Sequence, residues 1–488
     1  MKALLNKRSF QLGFFAGLFI LFLLLTAFSG EYYFLVVPFA ALLFFWGWQQ
    51  MKTVFFLLLL TLPFSFEYNF SASLGTDVPD ELLMVFVSGV FICYCIYVPG
   101  AISKSTWRHP LLFLVFFLFC WQAVTVAFST EVLVSVKYLL AKSWYLGAFI
   151  LAPLVIFRNK GNIRAAAILI VTAVLIVTAL IMLRHYRGGF RFDTINFAVV
   201  PFFRNHVNYS AMLVCMIPVL IAFYRSAKTD KRKLLIVGVL ALALIALYFS
   251  YARGAWLALA AGLLAMWLIQ KRFLFAAFIL SLIIGLSALF WVKSNDRYLQ
   301  FAHDYNKTIY HSNFREHLSA TYQLKDVSTA ERFYRWIAGV RMLKDNGITG
   351  YGPNTFADNY QAYAVPVFRT WVSENRDRST VHNYFLLLAI EQGIPGLLIF
   401  LLLCGALFYY AQYLYHRIKD GFYRTVAITT GSILAMIMVV NFLSDLIETD
   451  KIGSLFFLCI AMLVVTDINT RKDSRSPTKA QRTQSNLG

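Results

Sequence analysis

The residues best suited to catalysis lie in the stretch from His382 to Gly396, HNYFLLLAIEQGIPG. It begins with the polar pair His382 and Asn383, and it ends in the helix breakers Gly393, Pro395 and Gly396. Imidazole is the side chain that most often accepts a proton from a hydroxyl near neutral pH. From its position alone, His382 is therefore either a hydrogen-bonded interface histidine or a general base.

The same stretch predicts a short helix over residues 380–392 that lies on, or dips into, the outer face of a membrane. A continuous span beginning at His382 would bury Glu391, and a charge at that depth costs roughly 2.5–3.5 kcal/mol. The breakers avoid this cost, because the apolar run after them is long enough to span alone. Ser379 or Thr380 is then the expected N-cap. His382 would lie in the first turn, where the positive helix end favours the neutral ring.

Two arginines on another predicted helix form the second candidate. Ser328 and Glu331 have the spacing of a capping box, which predicts a helix that continues to Asn346. Arg332 and Arg335 would project from neighbouring faces of it. A guanidinium binds phosphate oxygens in a bidentate fork, so the pair predicts a diphosphate site. The alternative is an amphipathic helix with a solvated face. The expected buried residues are Phe333, Trp336, Val340 and Leu343.

Further polar residues are expected at the same depth on the same side. Arg253 lies between two apolar runs, Lys137 and Lys142 lie near the start of another, and Asp445 and Glu448 separate the last two runs. Topology does not require basic residues on that side, so they indicate either an ordinary solvated surface or an anion-binding face. The polar residues above would line a cavity at the outer face. The sequence RNHVNYS supplies three candidates for a second wall of that cavity, Arg204, His206 and Asn208.

The composition requires that a membrane bundle positions these residues. The chain has 488 residues, 59% hydrophobic and 14% charged, and about fourteen apolar runs of roughly spanning length. The predicted fold class is all-α, a polytopic transmembrane helical bundle of about 12–14 spans with one large, partly helical outer loop. The runs at 31–48 and 53–66 are the shortest or least clearly bounded. Polar and charged candidate residues at the helix ends fit such a bundle.

The loops predict the sidedness and four regions. Every short loop expected in the cytoplasm carries Lys or Arg, whereas the short outer connections near Gly30, Ser71 and Ser129 carry none, so both termini are expected inside. Much of the net charge of +20 is explained by this bias, so it does not indicate nucleic-acid binding. The expected regions are an N-terminal transmembrane bundle (1–292), a large outer loop with the His-Asn motif (293–393), C-terminal transmembrane helices (394–467) and a disordered cytoplasmic tail (468–488).

Four sequence pieces follow one another in a familiar order: SYARGAW at 250–256, ERFYRW at 331–336, GYGPNTF at 350–356, and His382-Asn383 followed by nine residues and GIPG. In this order the chain resembles the O-antigen ligase and polymerase superfamily of bacterial membrane glycosyltransferases. The resemblance covers about residues 200–445. The first 180 residues match only as a string of hydrophobic spans, and the family usually has about twelve spans.

The resemblance implies transfer of a glycan from undecaprenyl diphosphate at the periplasmic face of the inner membrane, without a metal or other cofactor. Arg253 and Arg332 would bind the diphosphate and stabilise its leaving charge, and His382 would be the base for the acceptor hydroxyl. Asp445 is the nearest match to an acidic residue that the family has late in its chain. The candidate substrate-binding residues are Arg335, Asn383, Arg204, His206, Asn208, Lys137 and Asp445.

Several acceptors remain open. A ligase with a lipid A-core acceptor is favoured, because its His-Asn motif fits best. A polymerase would extend another lipid-linked repeat, and a protein O-oligosaccharyltransferase would modify Ser or Thr. A transporter of lipid-linked sugars is disfavoured, since the runs from 207 to 291 carry no charge in their interiors. The expected partners are the lipid-linked donor, the lipid A-core acceptor and membrane lipids, and no nucleic acid.

Overall fold

The computed structural model describes residues 16–27, 29, 36–71, 74–293, 327–365 and 379–475. Much of the predicted outer loop, including the basic residues at 297–325 and 369–378, lies outside these ranges. The described part of the chain is almost entirely helical, which confirms the all-α prediction. Helices suit such an apolar chain, because each satisfies its own backbone hydrogen bonds in lipid.

The helices of the N-terminal part, in chain order, are α1 Ala16–Ala27, α2 Val36–Gln49, α3 Met51–Thr61, α4 Asp80–Tyr97, α5 Lys104–Trp107, α6 Pro110–Val126, α7 Val132–Leu146, α8 Ala152–Ile156, α9 Lys160–Arg187, α10 Ile195–Val199, α11 His206–Ser226, α12 Asp230–Phe249, α13 Arg253–Gln270 and α14 Leu274–Lys293. A π-helical turn, Gly147–Leu151, joins α7 to α8. The C-terminal part contains α15 Val327–Asp345, α16 Phe356–Asn359, α17 Tyr384–Arg417, α18 Gly421–Phe442 and α19 Asp450–Arg475.

Nine helices within the described residues are long and apolar enough to cross a membrane, so the chain is a multi-pass membrane protein. Three shorter apolar helices, Ala16–Ala27, Pro110–Val126 and Leu274–Ala288, accompany them. The runs at 31–48 and 53–66 were predicted as two separate spans. Instead, α2 and α3 form one pair bent by 102°, which is either a broken span or a re-entrant loop.

A small β-hairpin interrupts the helices and was not predicted. β1 Phe66–Ser71 pairs antiparallel with β2 Leu74–Val78. Tyr68 lies opposite Thr76, an aromatic and β-branched pair that suits a strand. Glu67 lies opposite Asp77, so the hairpin brings two carboxyl groups together near its base.

Close packing between α13 and α18 fixes the ends of both helices. Gly262 of α13 faces Met436, and a Cβ atom at this glycine would lie 2.2 Å from Met436 Cε. The Ser432 hydroxyl donates a hydrogen bond of 2.8 Å to the Gly262 carbonyl. Small residues allow such approach between membrane helices. The packing positions Arg253 at the start of α13 against the turn that follows α18.

A buried charge cluster closes the opposite end of the bundle. The Asp467 carboxylate, 1% exposed, lies 2.7 Å from Arg471 and 3.3 Å from His109, and Arg417 of α17 also pairs with it. These contacts join α6, α17 and α19. The prediction of a disordered tail from residue 468 is wrong as far as residue 475, because α19 continues to Arg475.

Candidate functional site

His382 lies beside a carboxylate at one end of the bundle. Its Nδ1 is 3.8 Å from Asp445 Oδ1, and the ring keeps 34% of its surface exposed. The Thr380 hydroxyl donates to Asp445 Oδ2 at 2.7 Å and accepts from the His382 amide at 3.3 Å. Burial opposes ionisation of Asp445, but the interaction with His382 and the hydrogen bond from Thr380 hold the pKa of this carboxyl below its usual range. A charged carboxylate therefore faces an accessible imidazole.

The backbone at His382 differs from the prediction. His382 has φ of +53° and precedes helix α17, whereas it was expected in the first helical turn. The N-cap is Asn383, whose Oδ1 accepts from the Leu386 amide at 3.0 Å, and not Ser379 or Thr380. The Thr380 hydroxyl is engaged by Asp445 instead. A left-handed backbone is uncommon outside glycine, and such conformations concentrate at functional sites.

Helix α15 holds the segment that leads into His382. Arg335 Nη1 donates to the Thr380 carbonyl at 2.9 Å, and Trp336 Nε1 donates to the Val381 carbonyl at 3.0 Å. Arg335 Nε also lies 3.6 Å from Glu331 Oε2. The guanidinium of Arg335 is thus buried and turned towards the protein, which makes it a positioning group. Asn383, similarly, is engaged as a cap.

The bounds of α15, Val327–Asp345, confirm the predicted helix, but its predicted buried face is wrong. The most buried residues are Glu331, Tyr334, Arg335, Ala338 and Met342, whereas Phe333, Trp336, Val340 and Leu343 are only half-buried. The helix packs on α17 through Gly339, where a Cβ atom would lie 2.6 Å from Ile390 Cδ1. This contact, together with the bonds of Arg335, turns a polar stripe inwards and leaves Arg332 half-buried.

The turn after α18 connects the three segments that carry the candidate catalytic residues. Gly254, next to the half-buried Arg253, would place a Cβ atom 3.4 Å from Leu443 Cδ1. The Phe442 ring lies 5.9 Å from the Trp336 ring of α15. Asp445 of the same turn reaches His382. The structure therefore brings the start of α13, helix α15 and the loop before α17 to one turn at residues 442–445.

Buried polar contacts hold this turn. The Ile447 amide donates to Asn441 Oδ1 at 2.9 Å. Glu448 Oε2 lies 2.8 Å from Lys142 Nζ, and Glu448 Oε1 accepts from the Tyr138 hydroxyl at 3.0 Å. Lys142 was predicted to lie among the basic residues of the outer face, but it is buried in this ion pair. Lys137, one turn earlier, is exposed.

Glu391 is a structural residue that the sequence reading misplaced. It was expected on a surface helix because a buried carboxylate is costly, yet it is only 5% exposed. Its oxygens accept from the Asn354 amide at 2.8 Å and the Phe356 amide at 3.1 Å. Backbone donors from the turn at 350–356 thus replace water. The polar turn after α15 was the available signal, since its amides needed acceptors.

Two glycines let that turn dock on the break in α17. The predicted break occurs at Gly393, with φ of 72° and ψ of 174°. A Cβ atom there would lie 1.9 Å from the Ile348 carbonyl oxygen, and one at Gly350 would lie 2.4 Å from the Glu391 carbonyl carbon. The Ile394 amide donates to the Gly347 carbonyl at 2.8 Å. The two segments therefore position residues 384–392 as one rigid unit.

The three candidates from RNHVNYS have different surroundings. Arg204 and Asn208 line a cavity of about 260 Å³, and Arg204 Nε is 3.1 Å from Glu67 Oε2. His206 begins α11, and its Nδ1 lies 2.9 Å from Asn196 Oδ1. The sequence reading missed the other charged residues of this cavity, Glu67, Asp77, Asp450 and Lys451, because they come from both ends of the chain.

Within the described ranges, no group of three or more His, Cys, Asp or Glu residues is placed to hold a metal ion.

The fold and the site together define a multi-pass membrane protein with its candidate catalytic residues at one end of the helices. Residues 238–401 match the family model described as O-antigen ligase, and no curated protein matches the chain. This match confirms the resemblance to the O-antigen ligase superfamily that the motifs indicated. The matched range contains Arg253, Arg332 and His382, and it ends before Asp445.

Proposed function

We propose that the protein is an O-antigen ligase of the bacterial inner membrane, acting in lipopolysaccharide biosynthesis. It transfers a glycan from undecaprenyl diphosphate to a lipid A-core acceptor at the periplasmic face, with both termini in the cytoplasm. The observation that carries this proposal is the contact between His382 and Asp445. Asp445 lies on the turn at 442–445, which also contacts the segments of Arg253 and Arg332.

The donor diphosphate is bound by arginines. Arg253 is the first residue of α13, and the positive end of a helix favours an anion there. Arg332 lies on α15, one turn before Arg335 and Trp336, which fix the His382 loop. As the glycosidic bond breaks, negative charge grows on the diphosphate. Guanidinium groups held outside bulk water stabilise that charge without a metal ion.

The acceptor hydroxyl is activated by His382. Asp445 faces Nδ1, which leaves Nε2 to accept the hydroxyl proton as the acceptor oxygen bonds to the anomeric carbon. The bond from that carbon to the diphosphate oxygen breaks, and undecaprenyl diphosphate leaves with the electron pair. A single displacement of this kind inverts the anomeric centre. Asp445 stabilises the imidazolium that forms, in the manner of a carboxylate behind a catalytic histidine.

Other acceptors would use the same donor site and base. A polymerase would bind a second lipid-linked glycan, and a protein O-oligosaccharyltransferase would bind a Ser or Thr side chain. A transporter would be expected to hold charge within its spans. In α11, α12 and α13 the charged residues lie at the helix ends, which favours an enzyme.

The acceptor is tested with purified protein in lipid nanodiscs, undecaprenyl-diphosphate glycan and excess chelator. Lipid A-core, a second lipid-linked glycan and Ser/Thr peptides are offered separately. We expect transfer to lipid A-core in the presence of chelator. Growth of the donor glycan alone would identify a polymerase, and peptide modification a protein transferase. Loss of transfer on chelation would contradict the metal-free mechanism.

A further inference from the structure

A cavity beside the candidate site has a composition that differs from a diphosphate site. It measures about 260 Å³ and is formed by the base of the β-hairpin, by the turn at 200–204 with Asn208, and by residues 449–452 at the start of α19. Thr449 follows Asp445 by four residues, so the two Cα atoms are at most about 15 Å apart. The cavity is therefore close enough to hold part of a molecule that reacts at His382.

The charges of the cavity are paired within its own walls. Arg204 Nε lies 3.1 Å from Glu67 Oε2, and Lys451 Nζ lies 3.3 Å from Asp450 Oδ2. Lys451 Nζ also donates to the Ser65 carbonyl at 3.1 Å. Each of these two cations thus has an acidic neighbour. An anionic group entering the cavity would meet carboxylates as well as cations, which disfavours a phosphate.

Asp77 adds a third carboxyl group to the two already paired. It lies opposite Glu67 in the hairpin and lines the cavity. Burial, followed by the nearby charge of Asp450, raises the pKa of Asp77 to about 6. The lining therefore contains three carboxyl groups against two cations, Arg204 and Lys451. This balance favours a neutral ligand with several hydroxyl donors over an anion.

The remaining lining is aromatic and apolar. Phe66, Phe202 and Phe203 contribute to the walls, and Lys451 Nζ lies 5.1 Å from the centre of the Phe203 ring. Binding sites for small molecules combine apolar walls with a few polar groups that fix orientation, and usually measure about 300–1,000 Å³. At about 260 Å³ this cavity is just below that range, so it suits a single ring better than an extended chain.

We propose that this cavity binds a neutral sugar residue of the acceptor glycan. The proposal rests on the proposed transferase function. Glu67 and Asp77 accept hydrogen bonds from sugar hydroxyls, Arg204 and Asn208 donate to them, and the phenylalanine rings cover the apolar C–H face of the sugar. The bound residue would help to place the reacting hydroxyl of the acceptor at His382.

Binding is measured by saturation-transfer NMR on the full-length protein in nanodiscs, with methyl glucoside, methyl galactoside and N-acetylglucosamine as neutral probes. Glucuronic acid and inorganic phosphate are the anionic probes. We expect at least one neutral sugar to bind, and Asp77→Asn or Glu67→Gln to weaken it about tenfold, the effect of losing a hydrogen bond to a charged group. Asp193→Asn, an exposed carboxyl outside the cavity, is the matched control.

Several binding results would overturn the proposal: no binding of any neutral sugar, equal binding by the wild type and both cavity variants, or stronger binding of the anionic probes. Thermal unfolding of each variant separates a local effect from loss of the fold. A cavity that prefers phosphate would instead be an anion site.

Transfer kinetics separate this proposal from the proposed function. With lipid A-core as acceptor, Asp77→Asn should raise KM for the acceptor about tenfold while kcat and KM for the donor are retained. If the wild type transfers and acceptor KM is unchanged in Asp77→Asn, the sugar site is wrong and the transferase stands. If the wild type transfers to no acceptor yet binds sugars through Asp77, the transferase is wrong and the sugar site stands.

Discussion

The carboxylate of Asp445 lies 3.8 Å from Nδ1 of His382, and the two residues come from different connections of the helical bundle. The Thr380 hydroxyl links the pair, because it donates to Asp445 and accepts from the His382 amide. A histidine that is oriented by a carboxylate and partly exposed has the arrangement of a general base. The turn that carries Asp445 therefore has a direct part in the proposed chemistry.

Asp445→Asn should lower both stability and activity. The pKa of Asp445 is lower in the folded protein, so its charge stabilises the fold above the unfolded value of about 3.9, and this contribution is lost as the pH falls through the lower folded pKa. We expect a loss of about 1–3 kcal/mol at neutral pH that shrinks in strong acid. Thermal unfolding against pH measures it, with Asp193→Asn as the exposed control.

The transfer rate of Asp445→Asn should fall by less than that of His382→Ala, because the base is still present but less well oriented. An Asp445→Asn variant as active and as stable as the wild type would show that the pair has no functional part.

Arg335 and Arg332 should respond differently to removal. Arg335→Ala removes the hydrogen bond to the Thr380 carbonyl and the ion pair with the buried Glu331, and breaking a buried ion pair costs about 3–5 kcal/mol. Arg332→Ala should lower transfer with a much smaller loss of stability. Thermal unfolding and transfer rates of both variants test this, with the exposed Lys344→Ala of the same helix as control. Equal loss of stability in both would place Arg332 in the structure and not in the site.

Gly393→Ala should damage the site without touching a reactive group. The new Cβ atom would lie 1.9 Å from the Ile348 carbonyl oxygen, and the backbone has φ of +72°, so we expect a cost well above about 1 kcal/mol. Gly421→Ala is the control, because no heavy atom outside its own chain neighbourhood lies within 4 Å of a Cβ atom there. Thermal unfolding compares the two, and equal stability would mean that the turn at 347–356 does not dock as described.

Arg253→Ala should remove charge stabilisation at the leaving diphosphate. Removal of one such donor typically slows an enzyme by about 10²–10³-fold. Arg272→Ala is a matched control, because this exposed arginine follows the other end of α13. The measurements are the transfer rate and the binding of undecaprenyl diphosphate. If the two variants transfer equally fast, Arg253 has no part in the reaction.

Local patterns in the sequence predicted several elements well. The break at Gly393 followed from consecutive helix breakers, and the existence of the helix at 327–345 followed from its Ser-x-x-Glu pattern, although Ser328 lies inside the helix. Both depend on residues that are neighbours in the chain. The two apolar runs that became the bent pair α2 and α3 were counted separately, because hydropathy does not report the angle between helices.

Contacts between distant segments could not be predicted in the same way. Glu391 is buried because backbone amides of another segment bind it, and Arg335 faces inwards because it donates a hydrogen bond to a carbonyl of the His382 loop. Neither partner can be inferred from the local pattern, which suggested a surface helix for Glu391 and a phosphate-binding role for Arg335. The β-hairpin was missed for the same reason, since its short strands depend on each other.

The most direct test of the account is the single-turnover transfer rate of His382→Ala, measured with saturating undecaprenyl-diphosphate glycan, lipid A-core and excess chelator. We expect the rate to fall by about 10²–10⁴-fold, the contribution of a general base, while donor binding and thermal stability stay close to the wild type. A variant that folds, binds the donor and transfers at the wild-type rate would contradict the assignment of His382 as the base.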